Sequence, residues 1–288
     1  MLYRNFATQE ELDAQYDLEQ TVGDVAAYAD FYARESEKLR AEMEHRLNVP
    51  FGPTLAEHVD IYPAPEASGA APILFYIHGG YWKARTSKEF GYVARGPGRR
   101  GVATVVVNYA LCPEVTIDEI VRQTRAALSW TCKNAGSFGG DAERIHVAGH
   151  SAGGHLTAML LETDWEGAYG LPGDIVKSAC AISGLFDLAP FPYTFIQPKL
   201  QLSWDQVLLN SPILHVPESA PPLVLVYGED ETAEFRRQSE EYLAAWRSKG
   251  LDATILSLPG DNHYDVIKGF LDPESPLCST ILQHIVPG

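Results

Sequence analysis

The most confining feature of this sequence is a short turn held between two apolar segments. Arg144-Ile145-His146-Val147-Ala148 reads as a buried strand and Leu156-Thr157-Ala158-Met159-Leu160-Leu161 as the start of a helix. Between them stands Gly149-His150-Ser151-Ala152-Gly153-Gly154-His155. Strand, Gly-x-Ser-x-Gly and helix in that order form the nucleophile-elbow signature, in which a sharp turn lifts the serine hydroxyl out of the sheet edge. The flanking glycines are required because a Cβ at either place would strike the opposing backbone. Serine is a poor nucleophile until a base takes its proton and an acid orients that base. The rest of the chain is therefore read for a base, an acid and donors for an oxyanion.

Apolar runs of strand length recur along the chain: Ile73–Ile77, Val102–Val107, Ser178–Ser183, Leu223–Tyr227 and Ala253–Leu258. Helical patterns are expected between them, at Ser87 to Val93 (broken by Gly96-Pro97-Gly98), Ile117 to Lys133, Glu234 to Lys249, and near the end at Val266–Phe270 and Thr280–Ile285. Fully apolar strands alternating with helices imply an α/β fold with a mostly parallel central sheet and helices on both faces. Active sites of such sheets lie at the carboxyl ends of the strands. Val59-Asp60-Ile61-Tyr62 alternates, as suits an edge strand or hairpin arm, and residues 63–70 read as a turn.

Two regions fall outside this alternation. Residues 1–50 are expected to be a helical N-terminal segment, with Thr8 and Glu11 at capping-box spacing and a longer helix from Asp24 to Leu47. It either packs on the main domain or forms a flap over the site. Residues 51–288 would form that domain, with 186–216 as an insert or small lid, since this stretch has no periodicity and is rich in Pro and aromatic residues. Its aromatic content, with that of the N-terminal helix, suits an aryl or other apolar substrate, and Tyr193 is a candidate contact.

The chemistry converges on four strand ends. His263 follows the last strand and is the expected base, because it stands after the acid in the order Ser, acid, His. The acid comes from Gly228-Glu229-Asp230-Glu231. Glu231, third after the glycine, is the first choice; Asp230 is the alternative, since Asp is commoner in this role. His78-Gly79-Gly80-Tyr81-Trp82 follows Ile77 and is the expected oxyanion loop. Its Gly80 and Tyr81 amides, with that of Ala152, would hold the oxyanion, and Gly79 and Trp82 would border the substrate. Trp82 reads equally well as a core aromatic. His78 and His150 are expected to be structural.

Composition removes several alternatives. The 288 residues carry a formal net charge of −16, which disfavours nucleic acid and anionic membranes as partners. No stretch reaches about 18 apolar residues, so no membrane span is expected. The first residues turn polar at Thr8-Gln9-Glu10-Glu11, without the apolar core of a leader peptide, and a cytoplasmic location is expected. Cys112, Cys132, Cys180 and Cys278 are widely spaced and read as reduced structural thiols. His146, His150 and His155 make no metal-binding pattern, and neither metal nor cofactor is expected. The expected partners are a small-molecule substrate and, on the frequency of such assemblies alone, a second copy of the chain.

His-Gly-Gly-Tyr-Trp at 78–82, Gly-His-Ser-Ala-Gly-Gly-His at 149–155 and Asn-Tyr-Ala-Leu-Cys-Pro at 108–113 together resemble the kynurenine formamidase (arylformamidase) branch of the α/β-hydrolases. Ser-Gly-Leu-Phe-Asp-Leu at 183–188, Glu-Phe-Arg-Arg-Gln-Ser at 234–239 and Asn-His-Tyr at 262–264 fit the same branch. The resemblance covers about residues 70–287. It implies the α/β-hydrolase fold, with Ser151 as nucleophile, His263 as base and Glu231 as acid, the last departing from the Asp usual there. It also implies hydrolysis, without a metal, of a formamide such as N-formylkynurenine through an acyl-enzyme. Carboxylesterase activity on small aryl or alkyl esters or carbamates is the alternative, and a non-enzymatic binding protein of the same fold a remote third.

Overall fold

A computed structural model describes residues 1–65 and 69–286. Its frame is one sheet of eight strands: β1 (Arg46–Pro50), β2 (His58–Tyr62), β3 (Ala71–Ile77), β4 (Ala103–Val107), β5 (Gly140–His150), β6 (Val176–Ile182), β7 (Leu223–Gly228) and β8 (Ala253–Leu258). They lie in the order β1-β2-β4-β3-β5-β6-β7-β8. β1 pairs antiparallel with β2 and β2 antiparallel with β4, while the other pairings are parallel. Every residue of β3 and β4 is buried, as runs that are apolar but for Thr104 require of strands covered on both faces. The carboxyl ends of β3, β5, β7 and β8 point the same way, so the four loops singled out from the sequence meet at one edge. This is the α/β-hydrolase architecture.

The helices before the elbow are α1 (Gln9–Tyr16), α2 (Leu18–Val22), α3 (Val25–Glu42), α4 (Arg95–Gly98) and α5 (Ile117–Asn134). Those after it are α6 (Ala152–Leu161), α7 (Trp165–Tyr169), α8 (Gln197–Leu200), α9 (Trp204–Leu209), α10 (Ala233–Ser248) and α11 (Pro276–Ile285). α1 opens with the expected capping box, Thr8 accepting from the Glu11 amide. No helix among the described residues is long and apolar enough to cross a membrane.

Two expectations need correction. The helix from Asp24 ends at Glu42, and Arg46–Pro50 is an extended edge strand paired antiparallel with β2, so the first 50 residues are not all helical, while β2 is the hairpin arm of its two expected roles. Pro50 could not have donated within a helix, and an edge is where a strand proline is tolerated. Gly96-Pro97-Gly98 does not break a helix: 3₁₀ turns at Ser87–Glu89 and Gly91–Ala94 run into α4, which contains it. Gly96 is needed for contact, because a Cβ there would lie 2.7 Å from both Cys278 Sγ and the Phe270 carbonyl oxygen. The turn at 63–70 has residues 66–68 outside the described residues.

The N-terminal segment packs into the body of the molecule. Leu12, Tyr16 and Leu18 belong to the main apolar core, and Tyr32 and Leu39 of α3 join a second cluster on the other side of the sheet. Residues 186–216 run through short turns, α8 and α9, anchored by Gln238, whose Oε1 accepts from the amides of Phe186 (2.6 Å) and Asp187 (2.7 Å).

Candidate active site

Ser151 has φ 57° and ψ −118°, a region sparsely used by any residue with a side chain. Such a residue persists only where its surroundings over-determine it. Here the Ser151 amide donates to the Ile182 carbonyl at 2.8 Å, and its own carbonyl accepts from the His155 amide at 3.1 Å. The glycines behave as the elbow requires. A Cβ on Gly149 would stand 2.2 Å from the Gly153 carbonyl oxygen, and one on Gly153 would stand 2.0 Å from that of Ile77. Strand β3, the elbow and the first turn of α6 therefore touch backbone to backbone.

The acid lies where β7 gives way to α10. Glu231 is 6 % exposed, whereas Asp230 and Glu229 face solvent. His263 Nδ1–H donates to Glu231 Oε2 at 2.8 Å. The other carboxylate oxygen, Oε1, accepts from Ser183 Oγ at 2.5 Å and from the Gly228 amide at 2.8 Å. These bonds fix both faces of the carboxylate and make Nε2 the free nitrogen of the imidazole. Of the two carboxylates weighed from the sequence, Glu231 pairs with His263. The longer Glu side chain is seated by Ser183, which itself takes a left-handed φ of 49° at the end of β6.

Ser151 and His263 line one cavity of about 50 Å³, with Gly80 and Tyr81 on its wall. The loop after β3 is strongly bent, with φ of 117° at Gly80, 49° at Tyr81 and 54° at Trp82. Gly80 is indispensable there, since a Cβ would fall 2.2 Å from the Ala84 carbonyl oxygen. Among the described residues the amides of Gly80, Tyr81 and Ala152 have no backbone acceptor, so all three remain available to an oxyanion. Gly79 packs tightly behind the elbow, its absent Cβ 3.0 Å from that of Ser151.

Trp82 and Tyr193 lie elsewhere. Trp82 is fully buried, donates through Nε1 to His155 Nδ1 at 3.2 Å, and meets Phe191 edge-on. It is a core residue. Tyr193 packs on Trp204 and faces a separate surface groove near Thr8 and Phe195. No residue of 186–216 reaches the Ser151 cavity; Phe191 stands one layer back, against Tyr81. The cavity is closed instead by Leu18 and Tyr32 of the N-terminal segment, with Arg85, Phe90 and Tyr264.

That segment also ties down three of the four loops of the site, those after β3, β7 and β8. Tyr81 Oη donates to the Tyr16 carbonyl (2.7 Å), Thr232 Oγ1 to that of Gln15 (2.7 Å), and Tyr32 Oη to that of Tyr264 (2.6 Å). The segment thus contributes side chains both to the core and to the cavity wall. None of these contacts was visible in the sequence, because a tyrosine at helical spacing looks the same whether its hydroxyl meets water or a loop.

His78 and His155 are neutral scaffolding. His78 stacks on Tyr109, donates through Nδ1 to the Gly79 carbonyl, and is pushed down to about 4 by burial. His155 is likewise lowered to about 4 by burial, its Nε2–H donating to the Asn210 carbonyl. His150 does more than the sequence implied. It borders the cavity, its ring centroid 4.6 Å from that of His263, and its Nε2–H donates to the His263 carbonyl at 2.8 Å. Burial, then the neighbouring His263, holds it well below the usual histidine range, so this donor stays in place.

The BD-FAE family model matches residues 59–246 of this chain, which include Ser151 and Glu231. The chain belongs to the BD-FAE family. A kynurenine formamidase of Salmo salar is 32 % identical over 254 residues, covering 86 % of this chain and 84 % of the relative. The crystal structure of a protein from Silicibacter sp. TM1040, provisionally described as a thioesterase, has a TM-score of 0.84 at 30 % identity, covering 94 % of this chain and 99 % of that one. An esterase from Pyrobaculum calidifontis shares the fold, with a TM-score of 0.71 at 21 % identity over 94 % of this chain and 96 % of that one. This BD-FAE chain is thus a hydrolase of the formamidase and esterase group, in the kynurenine formamidase branch.

Proposed function

We propose that the protein hydrolyses short-acyl amides and esters of aromatic leaving groups, foremost aryl formamides of the N-formylkynurenine type, through an acyl-enzyme on Ser151. The observation that carries this reading is the cavity: about 50 Å³ around Ser151 and His263. Space this confined beside the nucleophile favours a one- or two-carbon acyl group over a longer chain. Tyr32, Phe90 and Tyr264 supply an aromatic wall against which an aryl leaving group would rest.

In this mechanism His263 Nε2 takes the Ser151 proton as Oγ attacks the acyl carbon. Negative charge then builds on the former carbonyl oxygen, facing the amides of Gly80, Tyr81 and Ala152. Glu231 steadies the imidazolium that forms. His263 returns the proton to the leaving amine or phenol. Water, deprotonated by the same imidazole, then releases the short acid. The kynurenine formamidase relatives support the formamide bond as substrate, and the fold-level likeness to esterases keeps ester turnover alongside it.

The test is a series in which only the acyl group grows: phenyl formate, acetate, butyrate and hexanoate, beside N-formylkynurenine. kcat/KM is expected to fall at least tenfold from acetate to butyrate, with N-formylkynurenine turned over. Equal turnover of butyrate and acetate would overturn the short-acyl reading. Ester hydrolysis without formamide hydrolysis would make the protein a carboxylesterase.

A further inference from the structure

Hydrolysis at Ser151 makes no use of Arg85, which nevertheless lines the same cavity. Of the residues on that wall it alone carries a permanent charge, in a chain whose formal net charge is −16. Its neighbours there include Leu18, Tyr32, Phe90 and Tyr264, an apolar and aromatic setting in which an entering anion would be stripped of water. Arg85 holds a left-handed φ of 76°, a conformation where glycine or asparagine would be the undemanding choice. A long cationic side chain is kept at a strained backbone position.

The side chain is oriented as well as charged. Its stem lies across the oxyanion loop, with Cγ 3.0 Å from where a Cβ on Gly80 would be. One end of the guanidinium is clamped: Nη1 donates to Glu89 Oε1 at 2.8 Å, and the other oxygen of Glu89 accepts from the Thr86 amide at 2.9 Å. Among the described residues, Nε and Nη2 donate to no protein acceptor. These two nitrogens form the side-on fork that receives a carboxylate through two parallel hydrogen bonds. The side chain is 23 % exposed, buried enough for such a pair to outlast solvent screening.

We propose that Arg85 is a specificity-determining residue that receives a carboxylate carried by the leaving group, so that the enzyme selects anionic or zwitterionic aryl substrates over neutral ones. The proposal rests on the reading of Ser151 as the acylated residue, and adds to it the substrate's charge.

The experiment compares two substrates with the same ring and the same formamide. N-Formylkynurenine bears an α-amino carboxylate, and 2-formamidoacetophenone lacks it. The ratio of their kcat/KM values is measured for the wild type, R85K and R85Q. For R85Q the ratio is expected to fall about ten- to hundred-fold, the range of a hydrogen-bonded charge pair, with the loss in KM and with R85K intermediate. A ratio within twofold of the wild type would overturn the proposal, since a merely structural arginine would depress both substrates together. A second measurement does not depend on formamide turnover: competitive inhibition of p-nitrophenyl acetate hydrolysis by kynurenine and by 2-aminoacetophenone. R85Q is expected to weaken inhibition by kynurenine at least tenfold more than inhibition by the neutral ketone. Equal inhibition would refute Arg85 as the anion site even if the formamide reading stands. The expected selectivity here with no formamide turnover would refute that reading alone.

Discussion

Replacing Glu231 with Gln is expected to lower kcat/KM by about 10³- to 10⁴-fold while leaving the fold intact, because the amide would force the wrong imidazole tautomer. The direction follows from the bonds around the carboxylate. Gly228 N–H, 2.8 Å from Oε1, can only donate. In the variant it therefore selects the side-chain carbonyl of Gln, and the amide nitrogen turns toward His263. His263 Nδ1, which gives its proton to Glu231 Oε2 at 2.8 Å, must then accept instead. The imidazole proton moves to Nε2, the nitrogen that has to take a proton from Ser151. A loss of three to four decades corresponds to about 4–5.5 kcal/mol of transition-state stabilisation. The assay is steady-state hydrolysis of p-nitrophenyl acetate, with a thermal melt of each variant and Asp230→Asn as the control. Asp230 faces solvent on the same loop, and its variant is expected to stay within twofold of the wild type. A loss below tenfold for Glu231→Gln, or a larger loss for Asp230→Asn, would refute the assignment of the acid.

Removing His150 as a donor, in His150→Phe, leaves the buried His263 carbonyl unpaired and is expected to lower kcat about ten- to hundred-fold with little change in KM, while His150→Gln recovers part of the loss. Trp82→Phe deletes the indole donor to His155 and is expected to lower the melting temperature by about 2–6 °C with KM for aryl esters within twofold, because Trp82 is core rather than pocket. Glu162 is pushed up to about 7 from the ordinary 4.5, chiefly by burial, so its protonated form favours the fold. That contribution is complete below about pH 4.5 and is lost as the pH rises through 7, up to about 3 kcal/mol at about 1.4 kcal/mol per pKa unit. Glu162→Gln is accordingly expected to melt above the wild type at pH 8 and level with it at pH 4.5; equal melting at both values would refute the shift.

Much of the frame was legible because it rests on local patterns. Ile73–Ile77 is apolar without a break and Val102–Val107 is interrupted only by Thr104, and only strands covered on both faces need that. The two glycines around Ser151 announce a backbone contact that the structure shows at 2.0 and 2.2 Å from a would-be Cβ. The order Ser, acid, His pointed to His263. Position after Gly228 favoured Glu231 over Asp230, and burial decides between them, a property of how the β7 loop folds back and not of the residues alone. What the sequence concealed is non-local. Ser183 seats the acid from a strand end 48 residues earlier in the chain. Leu18 and Tyr32 close the cavity from a segment that shows only helical periodicity. The aromatic richness of 186–216 suggested a lid, yet its Phe191 packs on Trp82 and Tyr81 in the layer behind the site. Arg85 gave no signal at all, since a single arginine between two turns resembles any surface cation until its left-handed backbone and its cavity are known.

The central claim is that Ser151 carries the acyl group, and intact-mass analysis after a fluorophosphonate reaction tests it most directly. One adduct per chain is expected, mapped by peptide fragmentation to the segment containing Ser151, with hydrolysis lost in proportion and no adduct on Ser151→Ala. An adduct on another residue, or full hydrolytic activity in Ser151→Ala, would contradict it.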